Sequence, residues 1–166
     1  MYMIKKYLFT SFFLSILLIF NAFAAGSSDS GSSKTKTQYD MAVSHINAAK
    51  KFEQKDKLDK AKVRYEKAQK LLIQSNKKFP NKADTLNYLG FTTRKLGDYE
   101  NGEKYYLQGL AIEPKHKGIN EYLGELYVAT NRHNLAVERL EVLKGCNCQE
   151  YEELKAIIAG KKVSKY

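Results

Sequence analysis

From Tyr39 to Gly160 apolar residues recur at intervals of three and four, the spacing that puts them on one face of a helix. Upstream the texture differs. Leu8 to Phe20 is an apolar run interrupted only by Thr10, Ser11 and Ser15. Residues 25–38, AGSSDSGSSKTKTQ, contain no apolar residue beyond Ala25. Gly and Ser maximise backbone entropy, and this stretch cannot bury enough surface to offset it, so it predicts a flexible linker. The pattern therefore divides the chain into an apolar leader over 1–24, a Gly/Ser linker over 25–38, a helical domain over 39–160 and a basic tail over 161–166.

The leader has the parts of an export signal. Lys5 and Lys6 precede the apolar run, and Ala22-Phe23-Ala24 follows it with the small residues that signal peptidase accepts. Thirteen residues of helix span about 20 Å, short of the ~30 Å hydrocarbon core, so no permanent membrane anchor is expected. No Cys follows the run, which argues against a lipid anchor. Cleavage is expected after Ala24, leaving a soluble periplasmic or secreted chain.

Within the helical domain the pattern itself repeats. Leu86, Leu89, Gly90, Gly97, Gly102, Tyr106 and Gly109 meet Asn120, Leu123, Gly124, Asn131, Ala136, Leu140 and Leu143 at a shift of 34 residues. Gly97 and Asn131 fall where a left-handed residue would end the first helix of a hairpin, and Asp98 can cap the second. Backward the shift is 41: Gly90 meets Ala49, Gly97 meets Asp56, Tyr106 meets Tyr65 and Gly109 meets Ala68. The seven extra residues lie within LLIQSNK after Ala68. Seven residues are about two helical turns, so they lengthen one helix without turning its apolar face far.

The period, the small residue after Leu, the small–aromatic–small spacing and the closing Pro80 and Pro114 resemble the tetratricopeptide-repeat (TPR) family. The resemblance covers about residues 42–150 and is strongest over 83–116. The sequence departs from the family pattern at Leu86 and Thr93, where aromatics are usual, and at Cys148, which stands in place of a closing Pro. The resemblance implies an all-α, right-handed solenoid of about three hairpins, over about 42–82, 83–116 and 117–148. Such hairpins must stack to bury their apolar faces, and the last needs a lid. Residues 149–160 supply one, with Tyr151, Leu154, Ile157 and Ile158 on one face and charges on the other.

Charge and candidate chemistry change this picture little. The formal net charge is +10, but the lysines are interleaved with Glu and Asp through the helices, which reads as a solvated surface rather than a nucleic-acid patch. His45, His116 and His133 stand at unrelated repeat positions with no ligand spacing, so no metal site is expected. Tyr65, Tyr88, Tyr106 and Tyr127 sit at periodic positions and read as packing residues. No phosphate loop, nucleophile elbow or supported carboxylate pair is present, and neither an enzyme nor a cofactor is expected. Cys146-Asn147-Cys148 admits a disulfide staple before the last helix, two free or intermolecularly paired thiols, or a thiol redox site. A similar pair in some exported TPR proteins points to the staple.

In the TPR family the first helix of each hairpin lines a concave groove. By that resemblance Asn87, Phe91 and Arg94 form a groove stripe opposite the packing face, and Glu121, Glu125 and Val128 repeat it one period on. Phe91 is expected as an exposed apolar anchor and Arg94 as a forked donor. Some TPR adaptors hold a chaperone's C-terminal carboxylate with Lys and Asn, but Glu121 and Glu125 replace such residues here. The expected function is an exported scaffold that binds a protein or peptide partner in its groove. The alternatives are a self-assembling envelope component and, more remotely, a redox protein using Cys146 and Cys148.

Overall fold

The computed structural model describes residues 36–163, so the expected signal peptide, most of the linker and the last three residues lie outside the described residues. Seven helices follow one another: α1 (Gln38–Glu53), α2 (Leu58–Lys78), α3 (Ala83–Lys95), α4 (Tyr99–Ile112), α5 (Lys117–Ala129), α6 (His133–Leu143) and α7 (Gln149–Ile158). Among the described residues there is no strand. Helices pair as α1 with α2, α3 with α4 and α5 with α6, and α7 packs on α5 and α6. The result is an all-α solenoid. The first helices also touch in sequence, α1 to α3 to α5 to α7, and form its inner row.

The turns inside the hairpins are built alike. Asp56, Gly97 and Asn131 all have positive φ, at 53°, 94° and 59°. Directly after each, the backbone N–H of Lys57, Asp98 or Arg132 donates to the carbonyl five residues back, on Phe52, Thr93 or Tyr127. This is the Schellman closure, which satisfies carbonyls that the ended helix leaves open. Gly160 ends α7 the same way, with Lys161 N–H donating to Ala156. Asp98 then caps α4 by accepting from the Asn101 amide at 3.1 Å. α1 begins one residue before the boundary expected at 39, because Thr37 and Asp40 form a reciprocal capping box that stops the linker there.

The long helix of the first hairpin is α2, with 21 residues against 14 in α4. Leu72 remains fully buried within the extra turns, so the apolar face has kept its orientation. Two clusters form the core. One gathers Ile46, Tyr65, Leu72, Leu89 and Phe91, the other Tyr106, Ile119, Leu123, Leu126 and Tyr127. Gly90 lets the two helices of the middle hairpin close, since a Cβ there would lie 2.5 Å from the Tyr106 ring. Gly124, its equivalent one repeat on, makes its closest approach to Leu154 of α7, at 2.5 Å from the would-be Cβ. Leu140 replaces the ring of Tyr106 in α6 and stays only half-buried, so α7 fills the space instead.

Candidate functional site

The inner row borders a cavity of about 420 Å³. Each helix contributes residues three or four apart, which lie on one helical stripe. α1 supplies Lys50 and Glu53, α3 Phe91 and Arg94, α5 Glu121, Tyr122 and Glu125, and α7 Glu150 and Glu153. The last helix is therefore both lid and groove wall.

Aromatic rings and cations make the floor. The Phe91 ring stands edge-on to Tyr65 at 5.7 Å and tilts against Tyr122 at 5.0 Å. Lys50 Nζ sits 4.8 Å from the Phe91 centroid and donates to the Tyr122 hydroxyl at 3.3 Å. The Arg94 guanidinium lies 5.5 Å from both Phe91 and Tyr122, donates from Nη1 to the Tyr122 carbonyl at 2.7 Å and pairs through Nη2 with Glu125 at 3.2 Å. A quadrupole faced by two cations is attractive, and more so where water is excluded. Beside this stack, Glu53 accepts from the Tyr65 hydroxyl at 2.9 Å and pairs with Lys95.

Burial shifts the charged groups. It lowers the Lys50 ammonium below the usual lysine range, an effect that Arg94 reinforces and Glu121, Glu125 and Glu53 oppose. It raises the Glu121 carboxyl to about 8, with Glu125, Glu150 and Glu153 adding repulsion and Lys50 opposing it.

The structure corrects the expected groove stripe in part. Phe91 is not an exposed anchor: only 5% of it is accessible, and it belongs to the first core cluster. Arg94 is 2% accessible, with its guanidinium committed to Tyr122 and Glu125. Both border the groove from beneath, and neither is on a face away from the packing. Asn87 is buried and opens onto an adjoining recess rather than the main cavity. Val128 is half-buried against the second core cluster and outside the groove lining. Glu121 and Glu125 do line it, half-buried. Lys50, Tyr122, Glu150 and Glu153 have no counterpart in the sequence reading. The signal for Glu150 and Glu153 is the charged face of the last helix, which the apolar pattern alone assigns to the outside of a lid.

The other candidates lie elsewhere. Cys146 and Cys148 are joined by a disulfide in the connection from α6 to α7, with Gly145 before the bridge and Asn147 inside it, both at positive φ. His116 has a structural position that sequence reasoning missed. Its Nδ1 accepts from the Ile119 amide and caps α5, which leaves the proton on Nε2 to be donated to Asp84 at 3.1 Å. Among the described residues no group of His, Cys, Asp and Glu is placed to hold a metal ion, and no helix is long and apolar enough to cross a membrane.

No protein-family model matches the sequence, and no curated protein matches it. Among solved structures, the type III secretion translocator chaperone SycD of Yersinia enterocolitica, crystallised as an alternative dimer, matches with a TM-score of 0.51 at 18% identity over 73% of this chain and 88% of that one. The first TPR of Spaghetti (RPAP3), bound to the HSP90 peptide SRMEEVD, matches with a TM-score of 0.47 at 16% identity over 77% and 98%. At such identity the likeness to SycD is one of fold. The helical hairpins, their common turn and their stacking are those of a TPR-like solenoid.

Proposed function

We propose that this chain is an exported, non-enzymatic adaptor whose inner groove holds a segment of a partner protein. The observation that carries this reading is the cavity along α1, α3, α5 and α7, where an aromatic and cationic floor meets a row of carboxylates from α1, α5 and α7. Stacked hairpins present such a surface to a peptide or helix without further rearrangement. SycD, which shares the fold, is named a translocator chaperone, and a protein-binding role is in keeping with that. Export rests on Lys5, Lys6, the apolar run and Ala22-Phe23-Ala24, and N-terminal sequencing of the cellular protein tests it by finding Ala25 first.

A photo-crosslinking amino acid at Tyr122, compared with one at Val63 on the outer helix α2, tests the groove. Adducts to another protein from position 122 and not from 63 are the expected result. Adducts only from 63, or only between copies of this chain, would favour assembly instead. That second reading has its own support, since Leu58, Val63, Ile73, Leu107, Ile112 and Val137 are exposed on the outer helices. The thiol redox alternative has little, because the Cys146–Cys148 bridge is outside the groove lining.

A further inference from the structure

We propose that Glu121, Asn87 and Glu150 form a seat for a cationic side chain, a lysine ammonium or an arginine guanidinium, of the polypeptide held in the groove. The proposal rests on the groove reading above and specifies the chemistry of its ligand. The seat lies where two hollows meet. The main cavity of about 420 Å³ and a recess of about 450 Å³ beside the start of α5 share Glu121, Tyr122 and Glu150.

The charges there are unevenly matched. Three groove carboxylates have cations from within the chain: Glu53 has Lys95, Glu125 has Arg94 and Glu153 has Lys162. Glu121 and Glu150 have no hydrogen bond or ion pair among the described residues. Lys50, the cation facing Glu121 from α1, is engaged over the Phe91 and Tyr122 rings. Glu125 faces Glu121 from its own helix, and Glu150 and Glu153 face it from α7. Around the recess, Asp84 is bound to His116, and Glu113, Lys115 and Lys117 also line it.

Asn87 gives the second, independent sign of a ligand. It is only 6% accessible, and its Oδ1 is a buried acceptor without a partner. Such an atom normally finds a donor. Its amide lies against Gly118, where a Cβ would come within 2.8 Å of Nδ2, so glycine keeps that space open. Gly118 is three residues before Glu121 on α5 and therefore on the same face. The three residues, all lining the recess, thus carry acceptors: a buried amide oxygen and two carboxylates. Lysine and arginine side chains carry donors only, and their length lets them reach acceptors set apart along a groove. Burial first, and then repulsion from Glu125, Glu150 and Glu153, raises the Glu121 carboxyl to about 8, and a seated cation would favour its charged form.

The test uses fluorescein-labelled octapeptides of alternating Leu and Lys, Leu and Arg, or Leu and Glu, titrated against the purified chain by fluorescence polarisation. The net charge of +10 repels the basic probes, so their binding would not come from the overall field. The Lys and Arg probes are expected to bind and the Glu probe not. Glu121→Gln and Asn87→Ala are each expected to weaken the Lys probe about tenfold, since a charge-assisted bond and a buried acceptor are lost. Binding to the wild type is expected to be roughly sevenfold weaker at pH 6.5 than at pH 8.5, because protonation of Glu121 removes the charge that holds the cation. Glu121→Gln, confirmed as folded by circular dichroism, is expected to show no such dependence, and Glu150→Gln provides a second variant on another helix.

A Lys probe that fails to bind, or that binds Glu121→Gln as tightly as the wild type at every pH, overturns the seat. A photo-crosslinker at Tyr122 separates the two levels of the argument. A probe that crosslinks there but ignores Glu121→Gln removes the seat and leaves the groove, whereas a probe that binds without crosslinking there counts against the groove itself.

Discussion

Phe91 on α3 and Tyr122 on α5 hold their rings 5.0 Å apart, and this contact ties the second hairpin to the third beneath the groove. Lys50 from the first hairpin rests on both rings, so one aromatic pair joins three repeats. In a solenoid each repeat is stabilised by its neighbours, and a residue at such a junction affects more than its own hairpin.

Phe91→Ala is therefore expected to act on stability before it acts on binding. Removing a buried ring leaves a cavity and takes one of two aromatic partners from each of two cations, a loss of ~3–5 kcal/mol. Chemical denaturation of the two proteins measures it. A change below about 1 kcal/mol would return Phe91 to the role of exposed anchor.

Gly90→Leu tests the packing within the middle hairpin. Tyr106 is completely buried, so its ring cannot swing aside for a side chain whose first carbon already overlaps it. Overpacking of this kind costs ~1–3 kcal/mol or more and is expected as a lowered melting temperature. An unchanged midpoint would mean that the close approach of α3 and α4 is not present in solution.

Glu121 makes stability depend on pH in a stated direction. Its folded value of about 8 lies above the ordinary 4.5, so the folded chain holds this proton more tightly than the unfolded one. Its contribution is fully present below pH 4.5 and is lost as pH rises through about 8. Glu121→Gln, neutral throughout, is expected to match the wild type near pH 4.5 and to exceed it above pH 8 by on the order of 2–3 kcal/mol, allowing for partial solvent screening. Urea unfolding at the two pH values reads this directly. A variant less stable than the wild type above pH 8 would contradict the burial of that carboxylate.

The bridge between Cys146 and Cys148 is expected to block both thiols to alkylation until a reductant is added, in monomeric protein. Mass spectrometry of the alkylated protein counts the labels. Two labels without reductant would show that the connection from α6 to α7 stands without the bridge.

Much of the fold was legible because its signals are local. Asp56, Gly97 and Asn131 could be picked out as turn residues, since a left-handed residue after a helix is a demand of the backbone that few side chains meet. The extra two turns of α2 were visible as a change of spacing from 34 to 41 that kept the helical phase. The doubled role of α7 was harder to see. Its apolar face announced a lid, yet nothing along the chain says that Glu150 and Glu153 on the other side will face Glu121.

By itself the sequence determined the helices, their turns and their pairing, and part of the inward stripe of α3 and α5. Periodicity reports the angle of a side chain about its own helix axis, and it did so correctly for Glu121 and Glu125. Only the tertiary structure decided depth. Phe91 and Arg94 lie on the same inward side, but Tyr122 from the next hairpin and Lys50 from the previous one close over them and leave them buried. That covering depends on how neighbouring hairpins stack, a relation between residues 28 to 72 positions apart that no local spacing encodes.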